Sequence, residues 1–162
     1  MMKSKLYQLS TVFFAIILTS GCVGIYENGK DLALDTLPHI NEISVDELNI
    51  KIENMEDFFL IDVRQPVEFE KGNIPYSTLI PRGVLEFKVG DEIFWKEQEW
   101  YLPKKDSEII IYCKKGDRGI LATKVLSELG YSNVKNLTGG IIAWDPEFDL
   151  GSEAVEEGGC GG

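Results

Sequence analysis

The stretch IIIYCKKGDRGILATKVLSELG, residues 109–130, contains the signals that decide the fold of this chain. It begins with an uninterrupted apolar run, which is typical of a strand buried on both faces of a parallel sheet. Its second half predicts a helix that ends at Gly130, because glycine commonly terminates helices. The apolar residues of this helix fall near one face: Ile120, Val125, Leu126 and Leu129. The stretch therefore predicts a buried strand, a short turn and an amphipathic helix.

The flanking sequence repeats this alternation of strands and helices. Further strands are predicted at HINEIS (39–44), FFLIDV (58–63), STLIP (77–81) and NVKNL (133–137). Further helices are predicted over 45–54, from Pro66 to just before Gly72, and within GGIIAW (139–144). The first of these helices begins with Ser44 and Glu47 at capping-box spacing. Such alternation implies parallel strands joined by right-handed crossovers, so we expect a three-layer α/β domain with a central, mostly parallel sheet flanked by helices.

One segment fits this alternation less well. LEFKVGDEIFWKEQEWYLPKKD, residues 85–106, is long for a connection and contains two of the three tryptophans. We expect an irregular segment here. It forms either a rim or partner surface near the functional site, or a loop that packs locally against the domain.

The length and the net charge of the chain limit its possible functions. With 162 residues the chain is long enough for one domain of ordinary size. Its net charge of −11 argues against a nucleic-acid partner, since phosphate binding requires a basic surface. Against this acidic background, the basic cluster of Lys114, Lys115 and Arg118 is conspicuous.

The cysteines do not form a metal-binding pattern. Cys22, Cys113 and Cys160 are far apart, and a zinc site would require paired ligands at short spacing. His39 is the only histidine, and it lies far from Cys113 in the sequence. We therefore expect no metal and no cofactor, and a nucleophilic Cys113 would need activation by groups other than histidine.

The first 21 residues have the pattern of a secretory signal peptide. Lys3 and Lys5 precede a seven-residue apolar run over 12–18, and small residues follow it. The sequence LTSGC (18–22) resembles a bacterial lipobox, which implies acylation of Cys22 and a protein anchored to a membrane of the cell envelope. Ordinary cleavage with a free Cys22, or an uncleaved anchor, are the alternatives.

Both ends of the chain are predicted to lie outside the folded domain. Residues 22–38 have weak periodicity and are interpreted as a tether, and the domain is assigned to 39–146. The acidic, glycine-rich residues 147–162 are interpreted as a flexible tail. Cys160 in this tail is either an incidental thiol or a group that reaches Cys113.

The turn over 113–119 has features that stabilise a thiolate. A strand-to-helix turn directs successive backbone N–H groups inward, and the helix that follows adds its positive end. Gly116 allows a backbone angle that other residues avoid. Asp117 partly offsets the local positive charge, either facing solvent or capping the helix. Because Cys113 follows the most apolar strand, at the carboxyl edge of the sheet, we interpret it as a nucleophile rather than as an inert buried thiol.

Three ordered motifs resemble those of the rhodanese family. CKKGDRG (113–119) is similar to the C-x-x-G-x-R loop of single-domain sulfurtransferases. LIDVRQPVEFEKGNIPYSTLIPRG (60–83) resembles the family's first signature, and NLTGGIIAW (136–144) resembles its closing motif. Asn73 departs from the usual histidine, and Tyr76-Ser77 from the usual Gly-Ala.

The resemblance implies a rhodanese-like domain that transfers sulfur through a persulfide on Cys113. Thiosulfate or a related anion would be the donor, and a thiol or cyanide the acceptor, with a protein thiol as one candidate. The anion would bind to the backbone of these residues: Lys114, Lys115, Gly116, Asp117 and Arg118. The side chains of Lys115 and Arg118 would help to attract it. Asp62 and Arg64 would form a mainly structural ion pair. Arg82 would reach the rim of the pocket, since strand ends converge there.

Two other interpretations stay open. Tyrosine phosphatases and arsenate reductases also place a cysteine and an arginine around an anion, but with five intervening residues, whereas four separate Cys113 from Arg118. A non-catalytic sulfur carrier or binding module with the same fold is the other alternative.

Overall fold

The computed structural model describes residues 24–151. The predicted signal peptide, Cys22 and Cys160 lie outside the described residues, so the roles assigned to them stay predictions. Within 24–151, no helix has the length and apolar character that crossing a membrane requires.

The described chain forms a five-stranded sheet in the order β1-β5-β4-β2-β3. The strands are Asn41–Ile43 (β1), Phe59–Asp62 (β2), Thr78–Leu79 (β3), Glu108–Tyr112 (β4) and Asn133–Leu137 (β5). The α-helices are Gly29–Thr36 (α1), Val45–Glu53 (α2), Pro66–Phe69 (α3), Leu85–Lys88 (α4), Glu92–Glu97 (α5), Asp117–Glu128 (α6) and Gly140–Trp144 (α7). Short 3₁₀ helices span Leu37–His39, Arg82–Val84 and Pro146–Gly151. Neighbouring strands pair in parallel, which confirms the predicted α/β class.

The central strand β4 divides the hydrophobic core into two layers. Ile109 and Ile111 pack on one face with residues of α6, and Ile110 and Tyr112 pack on the other with Leu48 of α2. Successive strand residues point to opposite faces, so an uninterrupted apolar run is what a strand covered on both sides requires. The sequence signal of β4 therefore reflects its position in the middle of the sheet.

The parallel register brings the ends of three strands to the same edge. Asp62 of β2 pairs with Tyr112 of β4, and Ile111 pairs with Asn136 of β5. Cys113 consequently emerges between the ends of β2 and β5. This edge is where open α/β sheets place their sites.

The predicted tether is wrong over 29–36, where the chain forms α1. The Asn28 side chain accepts hydrogen bonds from the backbone N–H groups of Lys30 and Asp31, which caps the helix. Ala33 and Thr36 are buried, and the helix packs against α6. Because only two of its side chains are buried, the helix leaves a weak periodic signal in the sequence.

Residues 85–106 pack against the domain, so the locally packed alternative is confirmed. The segment contains α4 and α5 rather than being irregular throughout. Trp95 is fully buried, donates its indole N–H to the Val89 carbonyl at 2.9 Å, and meets the Phe59 ring edge-on at 5.2 Å between centroids. The tryptophan therefore extends the core on the α6 side of the sheet.

The predicted tail begins later than residue 147. Pro146–Gly151 forms a 3₁₀ helix that packs against α7, and the half-buried Phe148 ring lies 5.1 Å from the Arg64 guanidinium carbon. A Cβ atom on Gly72 would come within 2.8 Å of that ring, so glycine makes room for it. The aromatic side chain thus holds this 3₁₀ helix on the domain.

The turn before β3 contains a strained residue. Tyr76 has a φ of +67° and is largely exposed, at the position where the resemblance leads one to expect glycine. A side chain in this left-handed region costs about 1–2 kcal/mol relative to glycine. Its neighbour Ser77 lies 2.9 Å from the Tyr112 hydroxyl, a hydrogen bond that ties the turn to β4.

Candidate active site

Cys113 lies directly after β4, and its side chain is almost fully buried. Its sulfur accepts a hydrogen bond from the backbone N–H of Gly116 at 3.2 Å. Gly116 has a φ of +108°, a conformation that a residue with a Cβ rarely adopts. The predicted inward turn of the backbone therefore exists, with one N–H aimed at the thiol.

A second backbone segment supports this loop from below. The N–H groups of Ile141 and Ile142, at the start of α7, donate to the carbonyls of Cys113 at 2.9 Å and Lys114 at 3.2 Å. Gly140 has a φ of +64°, and a Cβ there would overlap the Cys113 carbonyl oxygen. The close contact between the loop and α7 therefore depends on glycine at position 140.

Asn136 lies beneath the same loop. Its side chain is fully buried and donates from Nδ2 to Oε1 of Glu42 at 3.1 Å. A Cβ added to Gly119 would overlap Oδ1 of Asn136. The first turn of α6 can thus approach β5 closely only because residue 119 has no side chain.

The predicted binding residues surround a shallow surface depression of about 200 Å³. Its lining residues are Cys113, Lys114, Lys115, Asp117 and Arg118. The backbone N–H of Gly116 faces the sulfur from within the same turn. The structure therefore brings together all of the loop residues that the sequence singled out.

Arg118 is held by Glu68, a residue that sequence reasoning missed. The guanidinium donates from Nη1 to Oε2 and from Nη2 to Oε1, both at 2.7 Å. The hydrogen bonds from Arg118 lower the pKa of Glu68 to about 2, from a usual value of 4.5. The pKa of Arg118 is raised mainly by the Glu68 carboxylate, and Cys113 contributes to the same shift. The guanidinium thus forms a two-point contact with the carboxylate.

The prediction for Arg82 is wrong, because its side chain lies away from the sulfur loop. Its Nη1 donates to Oε1 of Glu86 at 2.8 Å, one helical turn further along. Arg82 also lines a separate pocket with Leu121 and Lys124 on the side of α6. The local ion pair therefore directs the guanidinium along its own segment.

Asp62 and Arg64 form the buried ion pair that the sequence predicted. Both side chains are fully buried, and Nη2 of Arg64 lies 2.7 Å from Oδ2 of Asp62. The same nitrogen donates to the Gly72 carbonyl at 2.7 Å, which ties β2 to the turn after α3. Burial, followed by the Asp62 charge, raises the pKa of the neighbouring Tyr112. These contacts are structural and lie behind the site.

Comparison with known proteins decides the family. A model of the rhodanese-like domain matches residues 44–147, which includes strands β2 to β5, α6 and the sulfur loop. The chain belongs to the rhodanese family. Its rhodanese-like domain covers most of the described residues, while α1 precedes the matched range.

Relatives with this rhodanese-like domain include named sulfurtransferases. A sulfurtransferase from Allochromatium vinosum is 34% identical over 105 residues, 65% of this chain and 88% of the relative. A putative mitochondrial thiosulfate sulfurtransferase from Schizosaccharomyces pombe is 39% identical over 91 residues, 55% of this chain and 64% of the relative. The comparisons support sulfur transfer as the general activity.

Solved structures agree with the fold. The human single-domain sulfurtransferase TSTD1 has a TM-score of 0.59 and 30% identity, covering 64% of this chain and 93% of that one. A protein from Rhodopseudomonas palustris, described as of unknown function and a possible tyrosine phosphatase, has a TM-score of 0.63 and 26% identity, covering 79% and 96%.

Within residues 24–151, no group of three or more metal-ligating side chains is close enough to hold an ion. The chemistry that the described rhodanese site can perform is nucleophilic. A buried sulfur faces a backbone N–H, opens to an anion-sized depression, and is flanked by lysine and arginine.

The glutamate on α3 could have been found from the first family motif, since α3 begins at the same edge of the sheet as Cys113.

Proposed function

We propose that this protein transfers sulfane sulfur from thiosulfate or a related donor to a thiol or cyanide through a persulfide on Cys113. The observation that carries the proposal is the position of its sulfur. The thiol lines an open depression and accepts a backbone hydrogen bond from Gly116 at 3.2 Å. Such a donor stabilises the sulfur when it bears negative charge, either as thiolate or as persulfide.

The first step is a displacement at sulfur. The Cys113 thiolate attacks the outer sulfur of thiosulfate, a new S–S bond forms, and the original S–S bond breaks. Sulfite leaves with the bonding electron pair. In the second step the acceptor attacks the outer sulfur of the persulfide, which restores the Cys113 thiolate. Sulfur passes between nucleophiles in both steps, so the overall exchange is a two-step, ping-pong transfer.

The side chains around Cys113 have separate roles in this scheme. Lys115 lines the depression and offers one positive charge to an anionic donor. Arg118 also lines the depression, but its two terminal nitrogens contact Glu68. Lys115 lies on the loop and Arg118 lies in the first turn of α6. The positions of both side chains therefore depend on the backbone that surrounds the sulfur.

Intact mass spectrometry tests the proposal. The purified protein is expected to gain the mass of one sulfur atom, about 32 Da, after thiosulfate and to lose it as thiocyanate after cyanide. The gain should map to the peptide that contains Cys113 and should be absent in Cys113→Ser. Cys160→Ser is the matched control and should retain the gain. A protein that gains no sulfur from thiosulfate or from a polysulfide would overturn the proposal.

Two alternative functions follow from specific observations. The fold likeness to the possible tyrosine phosphatase makes a phosphate ester worth testing, although the loop has four rather than five residues between Cys113 and Arg118. Hydrolysis of a chromogenic phosphate ester would favour that alternative. Stable persulfide formation without rapid thiocyanate release would instead favour a sulfur carrier for a protein acceptor.

We also propose that the protein is anchored to a membrane of the bacterial cell envelope through acylated Cys22. The support is the lipobox-like sequence LTSGC after an apolar run of signal-peptide length. Metabolic labelling with a palmitate analogue should mark the protein, and Cys22→Ser should abolish the label. A processed protein that remains unlabelled and leaves the membrane fraction would contradict the anchor.

A further inference from the structure

The contact between Glu68 and Arg118 determines how much positive charge the sulfur site presents. Both terminal nitrogens of Arg118 donate to the carboxylate at 2.7 Å, in the two-point geometry that carboxylates and guanidinium groups share. A thiosulfate ion would need the same nitrogens for an equally strong contact. The arginine that the loop motif contributes is therefore already paired with an anion of the protein.

The charge balance of the site is close to neutral. The depression is lined by three cationic side chains and one aspartate, and Glu68 adds a second carboxylate. One net positive charge remains, and ionisation of Cys113 would cancel it. The chain as a whole is acidic, with a net charge of −11. A doubly charged donor consequently meets little net attraction at this site.

The position of the Glu68 carboxylate is fixed from both sides. Its Oε2 also accepts a hydrogen bond from the Gln65 backbone N–H at 2.9 Å, at the start of α3. Its pKa of about 2 keeps it ionised throughout the neutral range. The negative charge next to Arg118 is therefore a permanent part of the site at the pH at which sulfur transfer would occur.

We propose that Glu68 is a positioning residue that sets donor specificity, by holding Arg118 and lowering the preference of the site for dianionic donors. The inference rests on the proposed sulfurtransferase function and names its substrate class. The site favours sulfane-sulfur donors that carry one negative charge or none over inorganic dianions such as thiosulfate.

Two donors that differ in charge test the proposal. Thiosulfate is a dianion and releases sulfite, whereas methanethiosulfonate is a monoanion and releases methanesulfinate. Both give their outer sulfur to the Cys113 thiolate. The measured quantity is the ratio of kcat/KM for thiosulfate to kcat/KM for methanethiosulfonate. A change in fold stability affects both donors, so this ratio reports on charge recognition alone.

Glu68→Gln keeps the size of the side chain and removes its charge. The ratio is expected to rise roughly threefold to tenfold at low salt, because the Arg118 charge near the donor is no longer neutralised by a carboxylate. The increase should shrink at high ionic strength. Glu70→Gln is the matched control, since Glu70 is an exposed glutamate two residues away, and it should leave the ratio unchanged.

An unchanged ratio in a folded Glu68→Gln protein would overturn the proposal. If that variant does not fold, the wild-type protein still decides the matter. Its kcat/KM for thiosulfate should not decrease between about 20 and 300 mM salt, because a nearly neutral site has no attraction to screen. A decrease of more than about threefold would refute the near-neutral site. A wild-type protein that accepts sulfur from neither donor would refute the sulfurtransferase function itself.

Discussion

Substitution of Gly140 by alanine tests how α7 supports the sulfur loop. The new Cβ would overlap the Cys113 carbonyl oxygen and lie 2.8 Å from that of Lys114. Both atoms belong to the backbone, so neither can rotate away. The same two carbonyls accept hydrogen bonds from Ile141 at 2.9 Å and Ile142 at 3.2 Å. Relief of the overlap therefore requires α7 to separate from the loop.

The expected cost has two parts. The φ of +64° at Gly140 costs about 1–2 kcal/mol once a Cβ is present. Separation of α7 from the loop weakens two backbone hydrogen bonds, each worth about 1 kcal/mol. We therefore expect Gly140→Ala to reduce the free energy of unfolding by about 3–4 kcal/mol. Sulfur loading of Cys113 should fall as well, because the displaced loop no longer holds its N–H group against the thiol.

Urea unfolding measures the stability change, and Gly130→Ala is the matched control. Gly130 has a φ of +89°, but no atom lies within 4 Å of its added Cβ, so only the backbone cost of about 1–2 kcal/mol is expected. The difference between the two variants isolates the overlap with the loop. Equal destabilisation of the two variants, with unchanged sulfur loading in Gly140→Ala, would refute the reasoning.

Three further predictions concern the core and two ion pairs. Trp95→Ala should destabilise the fold by about 3–5 kcal/mol in urea unfolding, because a fully buried ring and its hydrogen bond are removed; a loss below about 1 kcal/mol would place this residue outside the core. Asp62→Asn should cost about 3 kcal/mol, since Arg64 would remain buried without a carboxylate, and a neutral effect would contradict the ion pair. Glu68 has a folded-state pKa below its ordinary value of 4.5, so its ion pair stabilises the fold above about pH 4.5 and loses this contribution as the pH falls to about 2. The difference in unfolding free energy between wild type and Glu68→Gln should therefore decrease from about 1 kcal/mol at pH 7 toward zero at pH 2, and a difference that does not vary with pH would argue against the contact with Arg118.

The elements that the sequence predicted correctly have strong local signals. The capping box of Ser44 and Glu47 is present, with hydrogen bonds in both directions, and α2 begins where it requires. The apolar run before Cys113 forms β4, and α6 ends before Gly130, which has a φ of +89°. Each of these signals acts within a few residues, so it can be interpreted without the rest of the fold.

The elements that the sequence did not predict are stabilised by distant contacts. α1 is a short helix that packs against α6, and its own residues show little amphipathic pattern. α5 is stabilised by the contact of its Trp95 with Phe59, which is far away in the sequence. Phe148 holds the last described 3₁₀ helix on the domain through Arg64 in the same way. Short helices gain most of their stability from such packing rather than from propensity.

The sequence by itself determined the α/β class, the position of the candidate nucleophile Cys113 at a strand end, and the glycine at 116, because the strand, turn and helix around them are coded by neighbouring residues. Only the tertiary structure decided that Arg118 is paired with Glu68, 50 residues away, and that Arg82 is directed elsewhere. The physical reason is the strand order, which places β2 beside β4 and so brings α3 to the sulfur loop. The charge of the site depends on that adjacency, and no local pattern in the chain encodes it.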